Sequence, residues 1–170
     1  MKLVEIEIDR HDWAQLRCAC GQPASHVAAD LLKMARADGE SEIDAEVLEG
    51  HAWTSAALFE PALPAVSVAL AALADDVSSV SRRIFSELLL LLLAGEGQAT
   101  YLAHEGRDLI AECTVAAKSG IWLLYAEVIS GRCVDTASNS YEALTLIEED
   151  VDRLDRVQAA AAENLRWDLR

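Results

Sequence analysis

Residues 49–97, EGHAWTSAALFEPALPAVSVALAALADDVSSVSRRIFSELLLLLLAGEG, carry two consecutive apolar helical patterns. In the first, Pro61 suits an opening helical turn, and Leu63, Val66, Leu70 and Leu73 follow at i, i+3, i+7 and i+10. Ala65, Val68, Ala69 and Ala72 broaden that stripe, and so much alanine implies close contact with neighbouring helices. After the turn Ala74-Asp75-Asp76, a second helix from about Ser78 to Ala94 sets Val80, Ile84, Leu88 and Leu91 on one side, with Phe85, Leu89 and Leu92 beside them. Its second half is apolar nearly all round, which predicts the most central helix of the fold. The Leu88–Leu93 run has Arg82, Arg83 and Glu87 before it and Gly95-Glu96-Gly97 after it, and so falls short of the roughly 18 residues that span a bilayer. Neither helix can bury its apolar surface alone, so flanking layers are expected from the rest of the chain.

At 170 residues the chain suits one domain, spanning residues 1–170, able to bury roughly 70% of its unfolded surface. Hydrophobic residues make up 52% but aromatic ones only 5%, so Ala, Leu, Val and Ile must build the core, which favours an all-α fold. Lys and Arg number 14 against 29 Asp and Glu, giving a net charge of −15 that would repel nucleic acid. Such acidity serves solubility, or a surface built to meet a basic protein, where opposite fields speed encounter. The charged start Met1–Asp9 lacks the apolar core of a signal peptide, so a cytoplasmic location with Cys18, Cys20, Cys113 and Cys133 as reduced thiols is expected.

Outside the central stretch, Leu3–Asp9 alternates Val4, Ile6 and Ile8 with Glu5, Glu7 and Asp9, the pattern of a strand or an extended arm. Trp13 and Leu16 fall on a short helical turn that Gly21-Gln22-Pro23 stops. Val27, Leu31, Leu32, Met34 and Ala35 mark a helix over 24–37 that Asp38-Gly39 ends. Ser41-Glu42-Ile43-Asp44 resembles a capping box for a helix running to about Phe59, interrupted near Gly50-His51. Gln98–Arg107 reads as a loop or an irregular helix start, followed by helices around Leu109–Ala117 and Ile121–Val128. Arg132–Asn139 reads as a polar connection, before helices marked by Tyr141, Leu144 and Ile147 and by Val151, Leu154, Val157, Ala161 and Leu165. The helices group into four antiparallel pairs beginning near residues 24, 61, 107 and 139, the loose period of a helical-repeat solenoid.

Several stretches resemble a known family. Asp12-Trp13-Ala14 with Leu16, Ala19-Cys20-Gly21 and Ala24 is similar to a D-W-x-x-L-x-x-A-x-G-x-A opening. Leu48, His51, Ala57-Leu58-Phe59-Glu60 and Ala65-Val66 resemble a histidine, an aromatic and an A-V-P-x-L helix, with Ala52, Trp53 and Ser67 replacing that pattern's glutamine, glycine and proline. Asp152, Arg156 and Ala159 resemble the D-x-x-x-R-x-x-A of a HEAT repeat, and Asp76 with Arg82 or Arg83 a stretched form of it. Together these resemble bacterial HEAT-like repeat proteins of the polymorphic-toxin immunity type. The resemblance implies an α-solenoid of about four helix pairs, with a short extended N-terminal arm. It further implies an immunity protein that binds a cognate basic toxin domain as a monomer in a 1:1 complex, occluding its active site or substrate-binding surface. The alternative is a HEAT-like scaffold or adaptor without a toxin partner.

No nucleophile and base pair, carboxylate pocket or phosphate loop stands out, so no catalytic residue, cofactor or enzymatic activity is expected. His51, His104, Glu105 and Asp108 are of metal or acid–base type, but His104-Glu105-Gly106 lacks the second histidine of H-E-x-x-H. Cys18-Ala-Cys20 is spaced by one residue rather than two or more, and the nearest histidines, His11 and His26, complete no known spacing, so no metal site is expected. Binding is expected at two acidic groups: Glu40, Glu42, Asp44, Glu46 and Glu49, and Glu148, Glu149, Asp150, Asp152 and Asp155. Acids also favour helix N-termini, but the total of −15 exceeds what capping requires. Trp53, Trp122 and Trp167 are candidate interface anchors, although the apolar helix around Trp122 points that residue to the core.

Overall fold

In a computed structural model that describes residues 2–39 and 44–170, the two apolar patterns form α3 (Ala62–Ala74) and α4 (Ser79–Leu93). Ser78 fixes the start of α4 by accepting from the Ser81 N–H at 3.0 Å while its hydroxyl donates to the Ala37 carbonyl. Arg82 folds back on the end of α3, donating to the carbonyls of Leu73 at 2.6 Å and Asp75 at 2.7 Å. A cation at a helix C-terminus satisfies free carbonyls and suits the dipole. The same guanidinium is paired at 2.6 Å with Glu127, which is 1% exposed. Phe85, Ile84, Leu88, Leu89 and Leu92 of α4 are fully buried, as the all-round apolar pattern requires.

The other helices cover this pair in two rows. In one row, α1 (Leu3–Asp9) packs on α3, α3 packs on α6 (Leu109–Lys118), and α7 (Ile121–Ser130) packs on α9 (Val151–Ala161). α6 and α7 are bent by 61° at their junction. In the other row, α2 (Ser25–Arg36) packs on α4, and α4 on α8 (Val134–Ile147). Contacts between α1 and α2, α3 and α4, and α7 and α8 tie the rows together. A short α5 (Thr100–His104) links α4 to α6. Among the described residues no single helix is long and apolar enough to cross a membrane.

All-α is the observed class, with local corrections. The strand or extended arm expected at Leu3–Asp9 is the helix α1. Val4 and Ile8, one helical turn apart, are buried, whereas Ile6 is 49% exposed, so period 3.6 defeats the apparent period 2. Glu5 accepts from the Lys2 backbone N–H at 3.2 Å, and Asp75 from the Val4 N–H at 3.1 Å, satisfying free donors of the first turn. The helix expected through Phe59 is instead a 3-10 turn (Ala45–Leu48) and a hairpin of β1 (Trp53–Thr54) and β2 (Ala57–Leu58), pairing Trp53 with Leu58. Of its proposed capping box, Ser41-Glu42-Ile43-Asp44, the first three residues lie outside the described residues, and Asp44 precedes the 3-10 turn without a side-chain capping bond. The polar connection expected at Arg132–Asn139 is mostly the first turns of α8, with Thr136, Ser138, Asn139 and Ser140 buried. Small hydroxyls let α8 approach α4 closely, and Asn139 donates to Ser86 across the contact at 3.2 Å.

The pair expected near residue 61 is α3 with α4, whereas α2 meets only the 3-10 turn in 44–60 and the bent α6–α7 unit forms one side against α8.

Candidate functional site

Cys18 and Cys20 sit on a tight turn. The Gly21 N–H donates to the Cys18 carbonyl at 3.0 Å and the Cys18 N–H to the Gln22 carbonyl at 3.3 Å, with Gly21 at a φ of +78°. A left-handed residue there suits glycine, and the turn brings the two sulfurs to 3.2 Å as free thiols. His26 stands on the first turn of α2. Its Nδ1 lies 3.1 Å from the Pro23 carbonyl, which can only accept, so that nitrogen carries a proton and Nε2 is the nitrogen turned to the cluster. The last member, His51, follows Gly50 at a φ of +77° and is tied to the cysteine turn by its carbonyl, which accepts from the Ala19 N–H at 3.0 Å.

These elements converge. Cys18 Sγ lies 3.5 Å from His26 Nε2 and 3.4 Å from His51 Nδ1. Cys20 Sγ lies 3.8 Å from His26 Nε2, and the two histidine nitrogens are 3.0 Å apart. All four atoms lie within 4.8 Å of one another. Cys18 is buried and Cys20 exposed, so the cluster is reachable from solvent on one side. Burial pushes the Cys18 thiol up to about 11, opposed by the backbone amide of Cys20 and reinforced by the Cys20 thiol. Burial, with His26 alongside, holds His51 below its ordinary value.

Sequence spacing pointed away from this arrangement. His11, the histidine nearest to Cys18 on the N-terminal side, turns elsewhere, with Nε2 3.2 Å from Glu7 and 3.1 Å from Ser67. His51 lies 33 residues from Cys18, beyond any local motif. The sequence signal that could have found the set was Cys-x-Cys-Gly followed by a helix beginning Ser-His. His104 is exposed, Glu105 is taken by Arg17, and Asp108 caps α6 by accepting from the Ala111 N–H at 3.0 Å, so these three do not join His51.

Beside the cluster, Arg17 and Arg107 converge on Glu60, which is 7% exposed. The Arg17 guanidinium is 2.6 Å from Glu60 and forms a fork on Glu105 with two contacts of 2.7 Å, while stacking 3.9 Å over the Tyr101 ring. The Arg17 backbone N–H also donates to Glu60 at 2.6 Å. Burial raises the Glu60 pKa, but these Arg17 hydrogen bonds outweigh it and hold the carboxyl below its ordinary value. A cavity of about 460 Å³ opens against Arg17, Cys18, Gln22 and Tyr101.

The two acidic groups are not brought together. Asp44 and Glu46 are exposed and line a depression with Arg83, Glu87 and Asp135, at the first turn of α8; Glu49 is also exposed, and Glu40 and Glu42 lie outside the described residues. The second group lies past the other end of α8, a helix that spans about 20 Å at 1.5 Å per residue.

Within the second group the acids have different roles. Glu148 accepts from the Tyr125 hydroxyl at 2.6 Å and from Arg153 at 2.9 Å, committing it internally. Asp150 caps α9 by accepting from the Arg153 N–H at 3.0 Å. Glu149, Asp152 and Asp155 face solvent, Glu149 with Lys118 2.5 Å away.

Beside these acids, Trp122 is not in the core: it is 69% exposed, on a face of α7 that also exposes Ile129. Tyr125 and Val128 take the inward positions of that helix, which turns the indole outward. Arg153, itself 3.1 Å from Asp150, lies 5.4 Å from the Trp122 ring, which joins the exposed aromatic to the acidic turn. Trp167 is exposed and Trp53 half-buried on the hairpin. Comparison with protein-family models, with curated proteins and with solved structures finds no match to the chain.

Proposed function

We propose that the chain is a HEAT-like helical-repeat protein of the immunity type, which binds a basic toxin domain and occludes its active site or substrate-binding surface. The two rows of helices, joined pair by pair, support the solenoid part of this reading. The observation that carries the binding part is Trp122, an exposed aromatic 5.4 Å from Arg153, which itself pairs with Asp150 and Glu148 of the acidic turn. A large aromatic is the usual anchor of a protein interface, and acids around it select a basic partner and speed its approach. The net charge of −15 points to the same partner chemistry. The protein works in the cytoplasm as a monomer in a 1:1 complex and carries out no chemistry on the toxin.

The test is co-expression with a toxin domain, sought first in the gene directly upstream. Wild-type protein should restore growth and form a nanomolar complex. Trp122→Ala should weaken that complex at least about tenfold, as loss of an interface anchor does, with the melting temperature nearly unchanged. Reversal of Glu149 and Asp152 to Lys should slow association in a salt-dependent way. Death of the cells despite full expression, with no complex formed, removes the immunity reading and favours a scaffold.

A further inference from the structure

Four side chains from three separate parts of the chain aim their lone-pair atoms at one point near the surface, and ordinary packing does not require it. Five of the six pairwise distances are 3.2 Å between the sulfurs, 3.4, 3.5 and 3.8 Å from sulfur to nitrogen, and 3.0 Å between the nitrogens, and the sixth, from Cys20 to His51, is within 4.8 Å. A tetrahedral ion with bonds of about 2.3 Å to sulfur and about 2.0 Å to nitrogen has edges of about 3.3 to about 3.8 Å. The cluster therefore approaches the dimensions of a coordination tetrahedron. We propose that Cys18, Cys20, His26 and His51 bind one zinc(II) ion as a closed Cys2His2 site.

Three further features fit zinc. The Pro23 carbonyl fixes the His26 ring so that Nε2 faces the cluster, the outer support that metal-bound imidazoles require. Two thiolates with two imidazoles in a tetrahedron are a donor set for zinc, whereas oxygen-seeking cations avoid it. The exposed Cys20 edge supplies an entry path.

With all four positions filled by protein, the ion has no open place for water or substrate, so its role is structural. It ties the cysteine turn, the start of α2 and the turn before β1 into one unit. The site is remote in sequence from the Trp122 surface on α7, so loss of zinc and loss of partner binding can be read separately.

The test uses the full chain purified under reductant, with its metal measured by elemental mass spectrometry. Metal-free protein is then titrated with zinc chloride against a chromophoric chelator, and with cobalt(II) followed by absorption. One zinc per chain is expected, with a thiolate-to-cobalt charge-transfer band and tetrahedral d–d bands. Cys20→Ser and His26→Asn, at positions that are not fully buried, should each lower zinc affinity at least about 100-fold, since each removes one of four ligands. Their circular dichroism should stay helical. Zinc should raise the melting temperature of the wild type and leave both variants unmoved. Absence of zinc binding by folded, reduced wild-type protein overturns the proposal, as does equal affinity in the variants or an octahedral cobalt spectrum without a thiolate band.

Discussion

In the α3–α4 hairpin the fully buried side chains are nearly all aliphatic, and each helix follows its own local periodicity. Segments 10–39 and 44–60 are built differently. Apart from α2, they hold 3-10 turns, a two-residue-per-strand hairpin and left-handed glycines, and beside their buried apolar residues they carry the Arg17–Glu60 pair and the Cys18 cluster. The contrast separates two ways of stabilising a chain. Burial is non-directional and tolerates changes that conserve volume, whereas charge pairs and ligand clusters depend on a few atoms at fixed distances.

The largest effect expected on this contrast comes from the hairpin. Phe85→Ala, at a fully buried position of α4, should cost about 3–5 kcal/mol in chemical denaturation, because it removes a large apolar group and leaves a cavity. A loss below about 1 kcal/mol would mean that the hairpin is not the core. In the polar segments, Glu60→Ala should cost about 1–3 kcal/mol, since it strips a buried acceptor from the Arg17 backbone and guanidinium together. Arg17 remains bonded to Glu105 and reaches solvent, which keeps the cost below that of the core cavity.

α1 allows a sharper comparison inside one short stretch. Val4→Ala should destabilise by about 1–2 kcal/mol and Ile6→Ala by less than about 0.5 kcal/mol, because only Val4 faces α3. Equal losses would restore the strand reading, in which both share one face.

The smallest effect is confined to acid. The Tyr125 hydroxyl, with the Asp150 and Glu149 amides and Arg153, holds Glu148 at about 2, below its ordinary 4.5. A lowered carboxylate value means that the folded state favours the charged form. This contribution is present in full above about 4.5 and is lost as pH falls through about 2. Glu148→Gln should therefore flatten the acid side of a melting-temperature profile between those values while shifting the plateau only slightly. An unchanged acid limb would show that the Tyr125–Glu148 bond does not persist in solution.

The readable parts of the sequence were those whose signal is local. Leu63 to Leu73 and Val80 to Leu92 declare helices because a stripe repeating every 3.6 residues can be seen without knowing its partner. Leu3–Asp9 was too short for that test, since Val4 and Ile8 satisfy both the strand period and the helix period. Thr136 to Ser140 look like a loop because small hydroxyls carry no apolar signal, yet they line the α4–α8 contact. In the acidic turn, composition identified charge but not its use: Glu148 is spent on Tyr125 and Arg153, whereas Glu149 and Asp152 face solvent.

The sequence by itself determined a helical, strongly acidic domain with a leucine-rich central hairpin, because helix propensity, apolar periodicity and net charge are properties of neighbouring residues or simple sums. Only the tertiary structure decided that Trp122 stands outward beside the acidic turn and that His51 meets Cys18, Cys20 and His26. Those outcomes depend on chain reversals at Gly21 and Gly50 and on which face of α7 its neighbours cover, and convergence across 33 residues leaves no periodic trace in the chain.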